Sequence, residues 1–116
     1  MKSIESNIQQ LCVRWFRLQF PTLTKLLFAI PNGGYRFEGT ARRMKAEGVV
    51  AGVSDLILFV PSKGYHALCI EMKTEIGRQS ELQRQWQIEV EKQGYRYVIC
   101  RNAEDFRSEI INYLKY

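Results

Sequence analysis

The sequence predicts one α/β domain, a central sheet with helices on both faces. Three observations predict it. Segments with helical apolar spacing alternate with short strand-like runs along the chain. The two middle runs, Asp55 to Val60 and His66 to Lys73, are apolar on both faces, so both sides of the sheet need cover. The 116 residues give room for one domain of ordinary size, and no repeat, linker or low-complexity stretch divides residues 1–116.

The elements follow in order. Ser3 can cap a first helix, whose apolar stripe is Ile4, Ile8, Leu11, Trp15 and Leu18, ending before Pro21. A short strand spans Leu26 to Ile30 and stops at the turn Pro31-Asn32-Gly33-Gly34. Thr40 to Glu47 reads as a basic helix closed by Gly48. The strands Asp55–Val60 and His66–Lys73 are joined by Pro61-Ser62-Lys63-Gly64-Tyr65, a glycine-containing link of hairpin length. Ser80 starts a helix to about Gln93, with Leu82, Trp86 and Val90 turned inward. Tyr95 to Arg101 alternates like a strand. Asn102 caps a last helix with Phe106, Ile110 and Leu114 inward.

Composition excludes other classes. Apolar residues at 46% and charged residues at 25% rule out a disordered, collagenous or coiled-coil chain. Apolar runs such as Leu56 to Val60 fall far short of the roughly 20 residues of a membrane span. The start, Met1 to Asn7, is polar and lacks the apolar stretch expected of a signal peptide. Cys12, Cys69 and Cys100 are an odd set, far apart in apolar surroundings, and read as buried free thiols of a reducing cytoplasm. A net charge of +5 suits a polyanionic partner, nucleic acid first among them. His66 is the sole histidine, which excludes paired-histidine chemistry within one chain. No aromatic-basic run points to reading of base sequence.

The hairpin gives the sharpest inference. With its link centred on Lys63, Val60 faces His66, Leu58 faces Leu68 and Asp55 faces Glu71. Directly opposed residues hold their Cβ atoms about 4.5–5.5 Å apart. Alternation then turns Lys73 to the same side as Glu71. Two carboxylates about 5 Å apart repel by roughly 3 kcal/mol at an effective dielectric near 20. A shared proton, the lysine or a metal must offset that. Hard cations such as Mg²⁺ favour carboxylate oxygen, and a metal there can activate water and polarise a phosphoryl group. A salt-bridged pair at a strand end is the alternative.

The run Gly52-Val53-Ser54-Asp55 followed by Glu71-Met72-Lys73 resembles the PD-(D/E)xK nuclease motif. With Ile30-Pro31-Asn32-Gly33-Gly34, Met44 to Val49, Ser80-Glu81-Leu82-Gln83, Trp86 and Gly94-Tyr95, the chain resembles the virus-type replication–repair nuclease (VRR-NUC) family over nearly its whole length. Ser54 departs from the proline usual there, which implies a small change in strand entry. The resemblance implies a restriction-endonuclease-like αβββαβ core around a mixed sheet. It implies Asp55, Glu71 and the Met72 main-chain carbonyl as ligands of Mg²⁺ or Mn²⁺, and Lys73 as the catalytic lysine. Glu5 would complete the acidic cluster, possibly through water, and Gln83 would support the site.

Several of these residues carry a second reading. An acid at Glu5 also suits the first turn of a helix. Ser80 and Gln83 also form a capping box. Trp86 is read as core. Asn32, Gly33 and Gly34 form either a plain turn or a phosphate-approaching loop. Arg36, Arg42, Arg43 and Lys45 form a solvated face or a phosphate-binding patch, and the patch is preferred. The resulting expectation is a Mg²⁺- or Mn²⁺-dependent DNA endonuclease, selective for branched DNA in the manner of junction-resolving enzymes, acting in repair or recombination as a homodimer. The competing expectations are a restriction-type or nicking nuclease and a catalytically silent DNA-binding module.

Overall fold

A computed structural model describes residues 3–31 and 38–115. Among these the order is α1 (Ser3–Gln19), a 3₁₀ turn (Pro21–Leu26), β1 (Leu27–Ala29), α2 (Glu38–Ala46), β2 (Leu56–Leu58), β3 (Leu68–Met72), α3 (Glu81–Lys92), β4 (Arg96–Cys100) and α4 (Ala103–Leu114). The strands form one mixed sheet in the order β1-β2-β3-β4, antiparallel except for the parallel β3–β4 pair. That is the α/β architecture expected. The 3₁₀ turn was not expected; Pro21 opens it and delays β1 to Leu27. No described helix is long and apolar enough to cross a membrane.

One face of the sheet carries the main core. Leu56, Leu58, Leu68, Ile70, Met72, Val98 and Cys100 meet Cys12 and Phe16 of α1 and Phe106, Ile110 and Tyr113 of α4. Trp15 sets its edge against Phe106, with ring centroids 6.2 Å apart. The stripe expected on α1 is therefore corrected. Ile4, Leu11 and Leu18 are exposed, and the buried line is Cys12 and Phe16 with Ile8, Val13 and Trp15 beside it. The helix is turned by about one residue, roughly 100°, which puts the ring of Phe16 in the core and leaves Leu11 and Leu18 outside it.

The opposite face carries Ile57, Cys69, Glu71, Tyr97 and Ile99 by alternation from the paired registers. Trp86 of α3 packs edge-on against Tyr97, with centroids 6.1 Å apart. Trp86 and Val90 are half-buried, whereas Leu82, expected inward, is exposed. The first turn of α3 instead packs its backbone against the turn that precedes β2. A Cβ on Gly52 would lie 2.6 Å from the Leu82 carbonyl oxygen, and Gly52 has φ +92°. Only glycine fits there. Ser80 caps α3 in a reciprocal box with Gln83, and Asn102 caps α4 through the Asp105 amide. The expected cap at Ser3 cannot be placed, since its side chain lies outside the described residues.

The hairpin register is as expected: Leu56 pairs Ile70, Ile57 pairs Cys69 and Leu58 pairs Leu68. Its link is not. Ser62 and Tyr65 pair, with Lys63 and Gly64 both at positive φ, 52° and 85°. That is a tight two-residue turn of the kind suited to twisted strands. The β2 side therefore holds one residue more than the β3 side between this turn and the Leu58–Leu68 pair. The stretch Phe59-Val60-Pro61 takes it up as a bulge, where proline costs no ladder bond.

Candidate active site

The site lies where β2 begins and β3 ends. Asp55 immediately precedes β2, and its carbonyl accepts from the Ile30 amide at 3.0 Å, which ties it to β1. Across the hairpin its Oδ2 accepts from the Met72 amide at 2.6 Å. Glu71 stands on β3 with its side chain buried. Lys73 follows β3, and its amide donates to the Cys100 carbonyl at 3.0 Å, prolonging the parallel ladder. Its Nζ is 3.4 Å from Glu71 Oε2. The two acids and the lysine expected from alternation are thus brought together.

Burial dominates the electrostatics. Desolvation pushes both carboxyls above their ordinary values, Asp55 further by the charge of Glu5 and Glu71 further by that of Asp55. Lys73 and the Met72 amide work in the other direction on Asp55, and Lys73 does so on Glu71. Glu5 of α1 is half-buried and close enough to act on Asp55 by its charge.

Each acid has one oxygen committed to the protein. Asp55 Oδ2 is held by Met72, and Glu71 Oε1 accepts the phenol proton of Tyr97. Glu71 Oε2 is buried, without a close hydrogen bond, and faces the Lys73 ammonium at 3.4 Å; Lys73 and Gln79 both act on the carboxylate to favour its charged form. A buried carboxylate oxygen without a hydrogen bond is costly even beside an ammonium. It is the kind of atom a hard cation satisfies, so the donor set fits Mg²⁺ or Mn²⁺. No cluster of three or more His, Cys, Asp or Glu side chains is close enough to form a metal cage by itself among the described residues. Any cation would complete its coordination from main-chain carbonyl, water or substrate, as Mg²⁺ commonly does.

The remaining expected residues are placed as follows. Gln83 Oε1 accepts from the Ser80 amide at 2.8 Å, which is its capping role. Arg42, Arg43 and Lys45 are exposed on α2. Asn32, Gly33, Gly34 and Arg36 lie outside the described residues. Ser54 is buried, and its hydroxyl donates to the Leu56 carbonyl at 3.2 Å, so serine is accommodated at the strand entry.

Three neighbours escaped the sequence reading. Tyr97 reaches Glu71 because the parallel register sets Cys69 beside Tyr97 and Glu71 beside Ile99, one diagonal step away on the same face. Gln79 donates to the Tyr97 phenol oxygen at 3.3 Å. Arg101 clamps the loop after Lys73, donating to the carbonyls of Thr74 at 2.8 Å and Gly77 at 2.6 Å. The alternation of Tyr95 to Arg101 marks which face Tyr97 takes only once the β3–β4 register is known, and a helical crossover does not fix that register.

The family and the fold have known counterparts. The family model of the VRR-NUC domain matches residues 4–104. A solved structure described as a VRR-NUC domain protein superposes with a TM-score of 0.83 at 25% identity, covering 95% of this chain and 87% of that one. No curated protein matches the chain.

Proposed function

The chain belongs to the VRR-NUC domain family, which gives it a nuclease-type function, and from that premise we propose that it is a Mg²⁺- or Mn²⁺-dependent endodeoxyribonuclease. The observation that carries the reading is the convergence of Asp55, Glu71 and Lys73, with Glu71 Oε2 buried and without a hydrogen bond. Asp55, Glu71 and the Met72 carbonyl would hold the cation, with Glu5 near enough to assist. When bound, a divalent cation supplies charge stabilisation at the phosphoryl oxygen and an acidified water. Lys73, half-buried beside Glu71, orients the nucleophile or stabilises developing negative charge by its ammonium. Gln83 supports the site by ordering the start of α3 against Gly52. The exposed Arg42, Arg43 and Lys45 would neutralise backbone phosphates, with Asn32, Gly33, Gly34 and Arg36 in the preceding segment.

Branched DNA is the substrate we assign first. A symmetric dimer would offer one active site to each of two strands of a four-way junction. Unpaired buried thiols fit a reducing compartment, and we place the protein in the cytoplasm.

Incubation of the purified protein with labelled junction, flap and linear DNA in Mg²⁺, Mn²⁺ or EDTA tests the reading. Metal-dependent cleavage is expected, with paired symmetric nicks on junctions. Glu71→Gln or Lys73→Ala should lower cleavage by at least about 100-fold and leave DNA binding in place. Undiminished cutting by both variants would overturn the assignment. Binding without product under every condition would leave a silent DNA-binding module, and unpaired nicks would indicate a nicking enzyme.

A further inference from the structure

We propose that Tyr97 is a positioning residue that selects which oxygen of Glu71 meets the cation. The inference rests on the metal-dependent reading above. Tyr97 is buried at the second position of β4, 7% exposed, with its ring held edge-on by Trp86. Its O–H donates to Glu71 Oε1. The phenol oxygen accepts from Gln79 Nε2 at 3.3 Å, and the same amide nitrogen lies 2.8 Å from Gln87 Oε1. A donor on one side of the phenol oxygen leaves its own proton to point at Glu71. Gln79, tied to α3 through Gln87, thus supports the carboxylate through Tyr97 and also acts on Glu71 itself.

The consequence follows from the torsional softness of a carboxylate. The terminal torsion of glutamate is broad and roughly two-fold, so an untethered carboxylate exchanges its oxygens readily. With Oε1 engaged by the phenol, Oε2 is the atom presented beside Lys73, buried and without a hydrogen bond. Residues that orient a metal ligand typically contribute 10–100-fold to metal affinity. A merely space-filling ring would be replaced by phenylalanine without effect, since the contact with Trp86 uses the ring and not the hydroxyl.

Tyr97→Phe is therefore the decisive variant, with Mn²⁺ affinity of the DNA-free protein measured by calorimetry as the primary readout. Affinity should fall about 10–100-fold, and the Mg²⁺ concentration for half-maximal cleavage should rise by a similar factor. Cleavage at saturating Mg²⁺ should recover most of the wild-type rate. Unchanged Mn²⁺ affinity in a folded Tyr97→Phe protein would overturn the inference while leaving the nuclease reading intact. Wild-type protein that binds no Mn²⁺ would overturn both. Should Tyr97→Phe fail to fold, Gln79→Leu carries the test. Weakened Mn²⁺ binding there supports the positioning of Glu71 by its Tyr97–Gln79 neighbours, and wild-type affinity overturns it.

Discussion

Asp55 illustrates how the candidate site is held in tension. Its carboxyl is raised by burial and by the nearby Glu5, so in the cation-free protein the folded state holds its proton to higher pH than the unfolded chain does. The folded form thus binds more protons between the ordinary aspartate value and the raised one. Stability contributed by this group is complete below the ordinary value and is lost as pH rises through the raised one. In EDTA, Asp55→Asn should therefore melt at a higher temperature than wild type at neutral pH and at nearly the same temperature at pH 3, while losing cleavage. A thermal melt at both pH values checks this. The thiols give a second prediction. Burial pushes Cys12 and Cys69 up to about 11 and Cys100 up to about 12. A thiol reagent at pH 8 should leave the native protein unmodified and titrate three thiols after unfolding.

Elements decide whether these residues meet. The hairpin was legible in the sequence because two apolar runs separated by a short link leave few registers, and a shift by one residue would have turned every buried side chain outward. The tight Lys63-Gly64 turn and its compensating bulge were not legible. A bulge and a longer link give the same downstream pairing. Tyr97 stayed hidden for a related reason: the register of β4 against β3 is set by how α3 packs, and no local pattern records it. The stripe on α1 failed because leucine spacing alone could not rank Leu11 against Cys12 or Leu18 against Phe16. Gly52 sits where these elements converge. Gly52→Ala would drive a methyl group to 2.6 Å from the Leu82 carbonyl at a left-handed φ. A loss of about 2–4 kcal/mol is expected from backbone strain plus overpacking, read as a lowered urea midpoint with unchanged slope.

At the scale of the molecule, charge sets how it meets DNA. With a net charge of +5, affinity should fall steeply with salt. Replacing Arg42, Arg43 and Lys45 together by alanine should flatten the log–log salt dependence by about 3, if all contact phosphate. An unaltered slope would remove α2 from the interface. The fold class and the grouping of Asp55, Glu71 and Lys73 were legible because they depend on alternation and one hairpin. The oxygen-by-oxygen partners were not, because they depend on packing between distant segments.

The far end of the hairpin is anchored differently. Tyr113 donates its phenol proton to the Val60 carbonyl at 2.7 Å, the Ser62 hydroxyl donates to the Tyr113 carbonyl, and Lys63 Nζ reaches the Lys115 carbonyl at 2.6 Å. The end of α4 is thereby stitched to the turn, while the acids occupy the opposite end of the same two strands, about 20 Å away at 3.3 Å per residue. A fluorophore carried by a Lys115→Cys variant would therefore report from the end of the hairpin remote from the acids.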